Sequence, residues 1–175
     1  LTLIKQAKQG KYQTLNLYIP NLKLLPPEIG ELSDLLRLDI SYTNLTKLPP
    51  EIGNLTRLTK LNVSSNKLKK LPNEIENLIN LVILALSDNQ ITHLPKGIGK
   101  LSCLKTLHIH NNQLTKLPPE IGKLTMLREL SVANNKITLL PKEIEGLSRL
   151  NTFYIYKNLL TELPAEIGNA TCLTE

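Results

Sequence analysis

Leucine recurs at a fixed interval along this chain, and that period restricts the fold more than any other feature. Leu35, Leu58, Leu81, Leu104, Leu127, Leu150 and Leu173 stand 23 residues apart, and the intervals between them align as LxxLxLxxNxLxxLPxxIxxLxx. With Leu35 as position 1, position 4 holds Leu15, Leu38, Leu61, Leu84, Leu107, Leu130 and Phe153, and position 6 holds Leu17, Ile40, Val63, Leu86, Ile109, Val132 and Ile155. Positions 14 and 15 read Leu-Pro in every unit, from Leu25-Pro26 to Leu163-Pro164, and position 18 is Ile from Ile29 to Ile167. A period of this length marks a solenoid, in which each unit buries its apolar face only against its neighbours.

Each position has a physical reading. Around Leu38 and Ile40 apolar residues alternate with polar ones, which predicts a short strand with one buried face. Strands repeated at this interval stack as parallel neighbours. The Leu-Pro pair then ends extended structure, because proline lacks a backbone N–H and fixes φ. Pro-Pro-Glu-Ile-Gly, at Pro26 to Gly30, Pro49 to Gly53 and Pro118 to Gly122, suits the start of a short helical turn, with proline at its first position and Glu favouring the helix dipole. With no Trp, one Phe and one Met in 175 residues, the core must be built from Leu and Ile.

Asparagine at position 9 is the most specific polar signal. Asn66, Asn89, Asn112, Asn135 and Asn158 fall where each turn leaves its strand, and a side-chain amide there can both donate to and accept from buried backbone. The first two units carry Pro20 and Thr43 instead, so their turns are expected to be looser or closed differently. Residues 1–11, with Leu1, Ile4, Ala7 and Lys8 at helical spacing and Gly10 as a stop, predict an N-terminal cap helix. Seven repeats follow over 12–172, the first opening on Tyr12, and 173–175 read as the start of a truncated eighth.

These residues make the chain resemble the 23-residue LPxxIxxL class of leucine-rich-repeat proteins, found in bacterial repeat proteins, in the repeat regions of Roco GTPases and in Ras-associated scaffolds. The resemblance covers residues 12 to 173. It implies an α/β fold: a right-handed solenoid, or horseshoe, with a parallel concave β-sheet and short helical or 3-10 convex segments. It also implies a module that binds a partner protein through its concave face. Two alternatives go with it: a regulatory or sensor arm of a larger signalling protein such as a Roco-like GTPase, and a bacterial host-directed effector.

Candidate contact residues follow from the positions that the core leaves free, namely 2, 3, 5, 7 and 8 of each strand. Tyr18, Tyr42, Tyr154 and Tyr156 fall there, four of the five tyrosines, together with His108 and His110. Arg37, Lys60, Arg128 and Glu129 supply charge on the same face. Tyrosine anchors interfaces well because it offers large contact area at low entropy cost. The basic residues of that face are interrupted by Asp39, Asp88 and Glu129, and no stacking aromatics interleave with them, so nucleic acid is not expected. The net charge of +6 instead favours an acidic protein partner through steering.

Catalysis finds no motif. GxxxxGK[ST] and GxGxxG are absent, no set ligand spacing surrounds His108 and His110, and no cofactor, metal or catalytic residue is assigned. The cysteines, Cys103 and Cys172, both sit at position 23, three repeats apart. At about 14 Å they should not bridge. No run of apolar residues is long enough for a membrane span. A cytoplasmic chain is expected, with a secreted effector as the alternative. The chain begins without Met, as a processed product or fragment would, and the uncapped edge around Leu150, Phe153 and Ile155 is expected to self-associate or fray.

Overall fold

The computed structural model describes residues 2–169. Helix α1 spans Thr2–Gln9 and buries Ile4 and Ala7 against the first repeat. The chain reverses just after it, with Tyr12 N bonded to Ala7 O at 3.1 Å. Gly10, expected as the stop, is not left-handed; Lys11 takes that conformation, with φ of 48°. Gly10 provides room instead, because a Cβ there would stand 2.5 Å from the ring of Tyr12.

Seven three-residue strands follow: β1 Thr14–Asn16, β2 Arg37–Asp39, β3 Lys60–Asn62, β4 Ile83–Ala85, β5 Thr106–His108, β6 Glu129–Ser131 and β7 Thr152–Tyr154. They form one parallel sheet in chain order. Every pair is in the same register, residue i facing residue i + 23, as Leu38 faces Leu61 and Leu107 faces Leu130. The period thus fixes the pairing, since any slip would turn the leucines of position 4 away from the core. Bonding between repeats continues past the strands, through Ile40 N to Asn62 O and Ser65 N to Ser87 O.

Behind the sheet, each Leu-Pro pair leads into a five-residue 3-10 helix, from Pro27–Glu31 to Ala165–Asn169. Pro26, Pro49 and Pro118 are extended, and the prolines that follow them occupy the first helical position. All seven convex segments are 3-10 helices, closed by bonds such as Ile29 N to Pro26 O at 3.1 Å. Leu35, Leu38, Ile40, Ile52 and their equivalents in the central repeats are fully buried in one continuous core from Ile4 to Phe153, while Ile155 and Ile167 of the last repeat are partly buried against it. Glycine lets successive convex turns touch: a Cβ on Gly53 would stand 2.6 Å from Glu74 O, and one on Gly122 2.0 Å from Glu143 O.

The asparagines form a buried ladder. Asn112 Oδ1 accepts the N–H of Ile91 at 2.9 Å, while its amide donates to Leu86 O, Ile109 O and His110 O. Asn66, Asn89 and Asn135 repeat the pattern, each joining its own turn to the preceding repeat. The first two turns close by other means. Thr43 Oγ1 donates to Asn66 Oδ1, and in the first repeat Leu22 N bonds to Ile19 O while Asn44 Nδ2 reaches Pro20 O. Cys103 is an exposed free thiol; Cys172, the start of an eighth repeat at 173–175 and Leu1 of the cap lie outside the described residues. Among the described residues no helix is long and apolar enough to cross a membrane.

Candidate functional site

Stacking the strands in register lines up position 3, position 5 and position 7 as columns across the concave face. Position 7 carries small residues along most of its length: Ser41, Ser87 and Ala133 are buried there, and Ser131 is buried beside them at position 5. Larger side chains rise from that floor at two places. Toward the N-terminal end, Tyr18 and Tyr42 are exposed, and Arg37 lies directly beside Lys60 in the β2–β3 pair. Toward the C-terminal end, His108, His110, Glu129, Ser131, Tyr154 and Tyr156 line a shallow depression of about 260 Å³.

That depression is ordered by its own polar contacts. The Nε2–H of His108 donates to Glu129 Oε1 at 2.8 Å across the β5–β6 pair. His110 Nδ1 lies 2.9 Å from Ser87 Oγ and 3.3 Å from Ser131 Oγ, so it is held by a hydroxyl on each side. A serine hydroxyl can donate or accept, so this pair can serve either tautomer of His110. The two imidazoles are tilted by 53° with centroids 6.3 Å apart. Both rings are therefore preset, one by a carboxylate and one by hydroxyls, with phenols opposite. Among the described residues no group of three or more His, Cys, Asp and Glu side chains could hold a metal ion.

At the other end Asp39 is the organised charge. Burial pushes its carboxyl up, but bonds from the hydroxyl and backbone N–H of Ser41 and from Asn62 Nδ2, with Lys60 nearby, outweigh this and hold it below the usual carboxylate value. Its charge stays at home with Ser41 and Asn62.

Two positions differ from the sequence expectation. Position 8 is not a free strand position: Tyr42, Ser65, Asp88, Asn111, Asn134 and Lys157 all have φ between 53° and 57°. It is the left-handed residue that lets the chain leave the sheet. Asn and Asp tolerate this region, and Asn111 and Asn134 add a side-chain ladder, Asn134 to Asn111 at 2.6 Å and Asn111 to Asp88 at 2.7 Å. A bulky Tyr42 at such a site, 73% exposed, is strained with little packing in return. Arg128 stands just before β6 rather than on it, exposed at the strand entry. Of the hydroxyls that hold His110, Ser87 lies one period before it and shares its column, but Ser131 lies 21 residues after it in the neighbouring column, so the pair does not stand out in the sequence.

Comparisons with known proteins bear on this architecture. A model described as leucine-rich repeat region matches residues 72–135, and one described as Leucine Rich Repeat matches 34–55, 57–78 and 126–147. The chain is a leucine-rich-repeat protein. A leucine-rich-repeat protein of Leptospira interrogans superposes with a TM-score of 0.92 at 39% identity, over 97% of this chain and 43% of that one. The plant peptide hormone receptor RGFR1, solved in complex with RGF2, superposes with a TM-score of 0.87 at 30% identity, over 97% of this chain and 28% of the receptor. The repeat domain of the type III effector XopL, at 23% identity, TM-score 0.85, 98% of this chain and 70% of that one, shares the fold. This leucine-rich-repeat chain thus spans less than half the length of the first two. A comparison with curated proteins returns no match. The family and the neighbours support a protein-interaction repeat module.

Proposed function

We propose that this leucine-rich-repeat chain binds a partner protein through its concave face, anchored at the depression formed by His108, His110, Glu129, Tyr154 and Tyr156. The observation that carries the reading is the preset polarity of that depression. Its imidazoles are oriented by Glu129, Ser87 and Ser131, and both phenols belong to the seventh repeat, at the end of β7 and just after it, with the small buried Ser131 and Ala133 in the repeat between. An extended segment of a partner can lie across the strands there, with its polar groups facing the rings and its apolar groups on Tyr154 and Tyr156. RGFR1 is a peptide hormone receptor, and its likeness supports a protein or peptide ligand. The net charge of +6 favours an acidic segment.

The test is peptide display selection on the intact chain followed by affinity measurement. Tyr154→Ala with Tyr156→Ala is expected to weaken the selected ligands at least about tenfold, with thermal stability nearly unchanged. Lys69→Ala with Lys70→Ala, away from the concave face, is expected to change affinity by less than about threefold. Dependence on the lysine pair and indifference to the tyrosines would move the binding surface off the concave face.

A further inference from the structure

One flank of the first six repeats carries lysines with no carboxylate among them. At position 13 the backbone has left the sheet and descends toward the Leu-Pro turn, and from the first repeat to the sixth that column reads Leu24, Lys47, Lys70, His93, Lys116 and Leu139. Lys67, Lys69 and Lys136 stand beside it at positions 10 and 12, and through these six repeats positions 10 to 13 contain no Asp or Glu. The lysines are exposed. The ion pairs among the described residues use Lys8, Arg57, Lys100 and His108 instead. Nor do the carboxylates of the adjoining convex turns all come out to meet them, because Glu51 and Glu120 each bury Oε2. Like charges left unpaired along one rigid edge repel one another and make a field that an external anion relieves.

Leucine flanks the basic stretch of the column in the first and sixth repeats, and Glu162 holds the same position in the seventh. Leu24 and Leu139 are 54% and 53% exposed. Neither hangs loose: Leu24 is paired in parallel with Lys47, and Leu139 with Lys116, so the backbone holds each in line with the lysines. Five strand spacings, about 24 Å, separate them. Lysines between exposed leucines suit the boundary of a bilayer, where apolar chains enter the headgroup layer and ammonium groups meet lipid phosphates. Nucleic acid fits less well, since positions 10 to 13 of these repeats hold no arginine for bidentate phosphate contact and no Phe, Tyr or Trp to stack a base.

We propose that this flank docks the solenoid on an anionic lipid surface. The proposal stands independently of the concave reading, and the two surfaces can act together because they lie on different sides of the turn at position 8. Co-sedimentation with phosphatidylcholine vesicles, with and without phosphatidylserine, tests it. The unaltered chain is expected to pellet only with the phosphatidylserine vesicles, and to release as salt rises from roughly 0.05 to 0.2 M. Lys47→Gln, Lys69→Gln, Lys70→Gln and Lys116→Gln together are expected to weaken vesicle binding at least about tenfold. Leu24→Ser with Leu139→Ser is expected to weaken it about threefold or more. All these sites are exposed, so melting curves should be unchanged; should the fourfold variant melt early, Lys69→Gln with Lys70→Gln gives the same readout. No pelleting at low salt overturns the proposal, as does full binding by the glutamine variants. Equally, duplex DNA bound as tightly as the vesicles, with no effect of the leucine replacements, would assign the flank to another polyanion.

Discussion

Asn112 shows how much one side chain carries in this fold. Its amide donates to three carbonyls and its oxygen accepts one N–H, and all but the bond to His110 O are buried. Asn112→Ala leaves those groups without partners, and the expected cost is about 1 to 3 kcal/mol. Asn44→Ala removes a single exposed bond to Pro20 O and should cost well under about 1 kcal/mol. Urea melts of the two variants decide the matter, and equal losses would contradict the ladder. The asparagine column was legible in the sequence because one residue type recurs at one position. The left-handed turn next to it was not. Ser65, Asp88, Asn111 and Asn134 carry its signal, but Tyr42 and Lys157 occupy the same backbone and hide the pattern.

At the scale of the element, the convex turn is built by reciprocity between neighbours. Position 19 of one repeat faces position 17 of the next, and Gly53 opposite Glu74 or Gly122 opposite Glu143 allows the backbones to close. Between the third and fourth repeats the pair is inverted: Glu76 stands at position 19 and Gly97 at position 17, where a Cβ would meet the Glu76 side chain at 2.5 Å. At the first five junctions one of the two is glycine, whereas Glu145 and Glu166 hold these positions at the sixth. Gly122→Ala, with Glu143 O at 2.0 Å from the new methyl, is therefore expected to destabilise by about 1 to 3 kcal/mol. Gly168→Ala, with nothing within 4 Å, should be close to neutral, and thermal melts that rank the two the other way would remove the contact argument. Short strands and proline-led turns were legible from alternation and from Leu-Pro. That every convex segment is 3-10, and that its glycines serve close approach, depends on contacts between repeats 23 residues apart, which no local propensity encodes.

For the whole molecule the repeat gives the architecture and leaves the surfaces to the residues it does not constrain. The concave clusters could be listed from the sequence by column. Which members meet could not, since the hydroxyl bracket of His110 and the carboxylate partner of His108 depend on strand spacing and rotamer. The flank was harder to see, because its lysines are separated in sequence and only descend together once the repeats are stacked. Uniform register, with every strand paired at an offset of 23, has one more consequence, which concerns heredity. Deleting 67–89 joins Asn66 to Gln90 in frame and brings Gly97 opposite Gly53, so a six-stranded chain should still unfold in one cooperative transition. Deleting 67–88 leaves one residue too many and turns the following strand inside out, and a cooperative melt from that variant would show the frame to be unnecessary. Unequal crossing-over between copies can then add or drop whole units, and descendants inherit reshuffled columns on a scaffold that does not have to be reinvented.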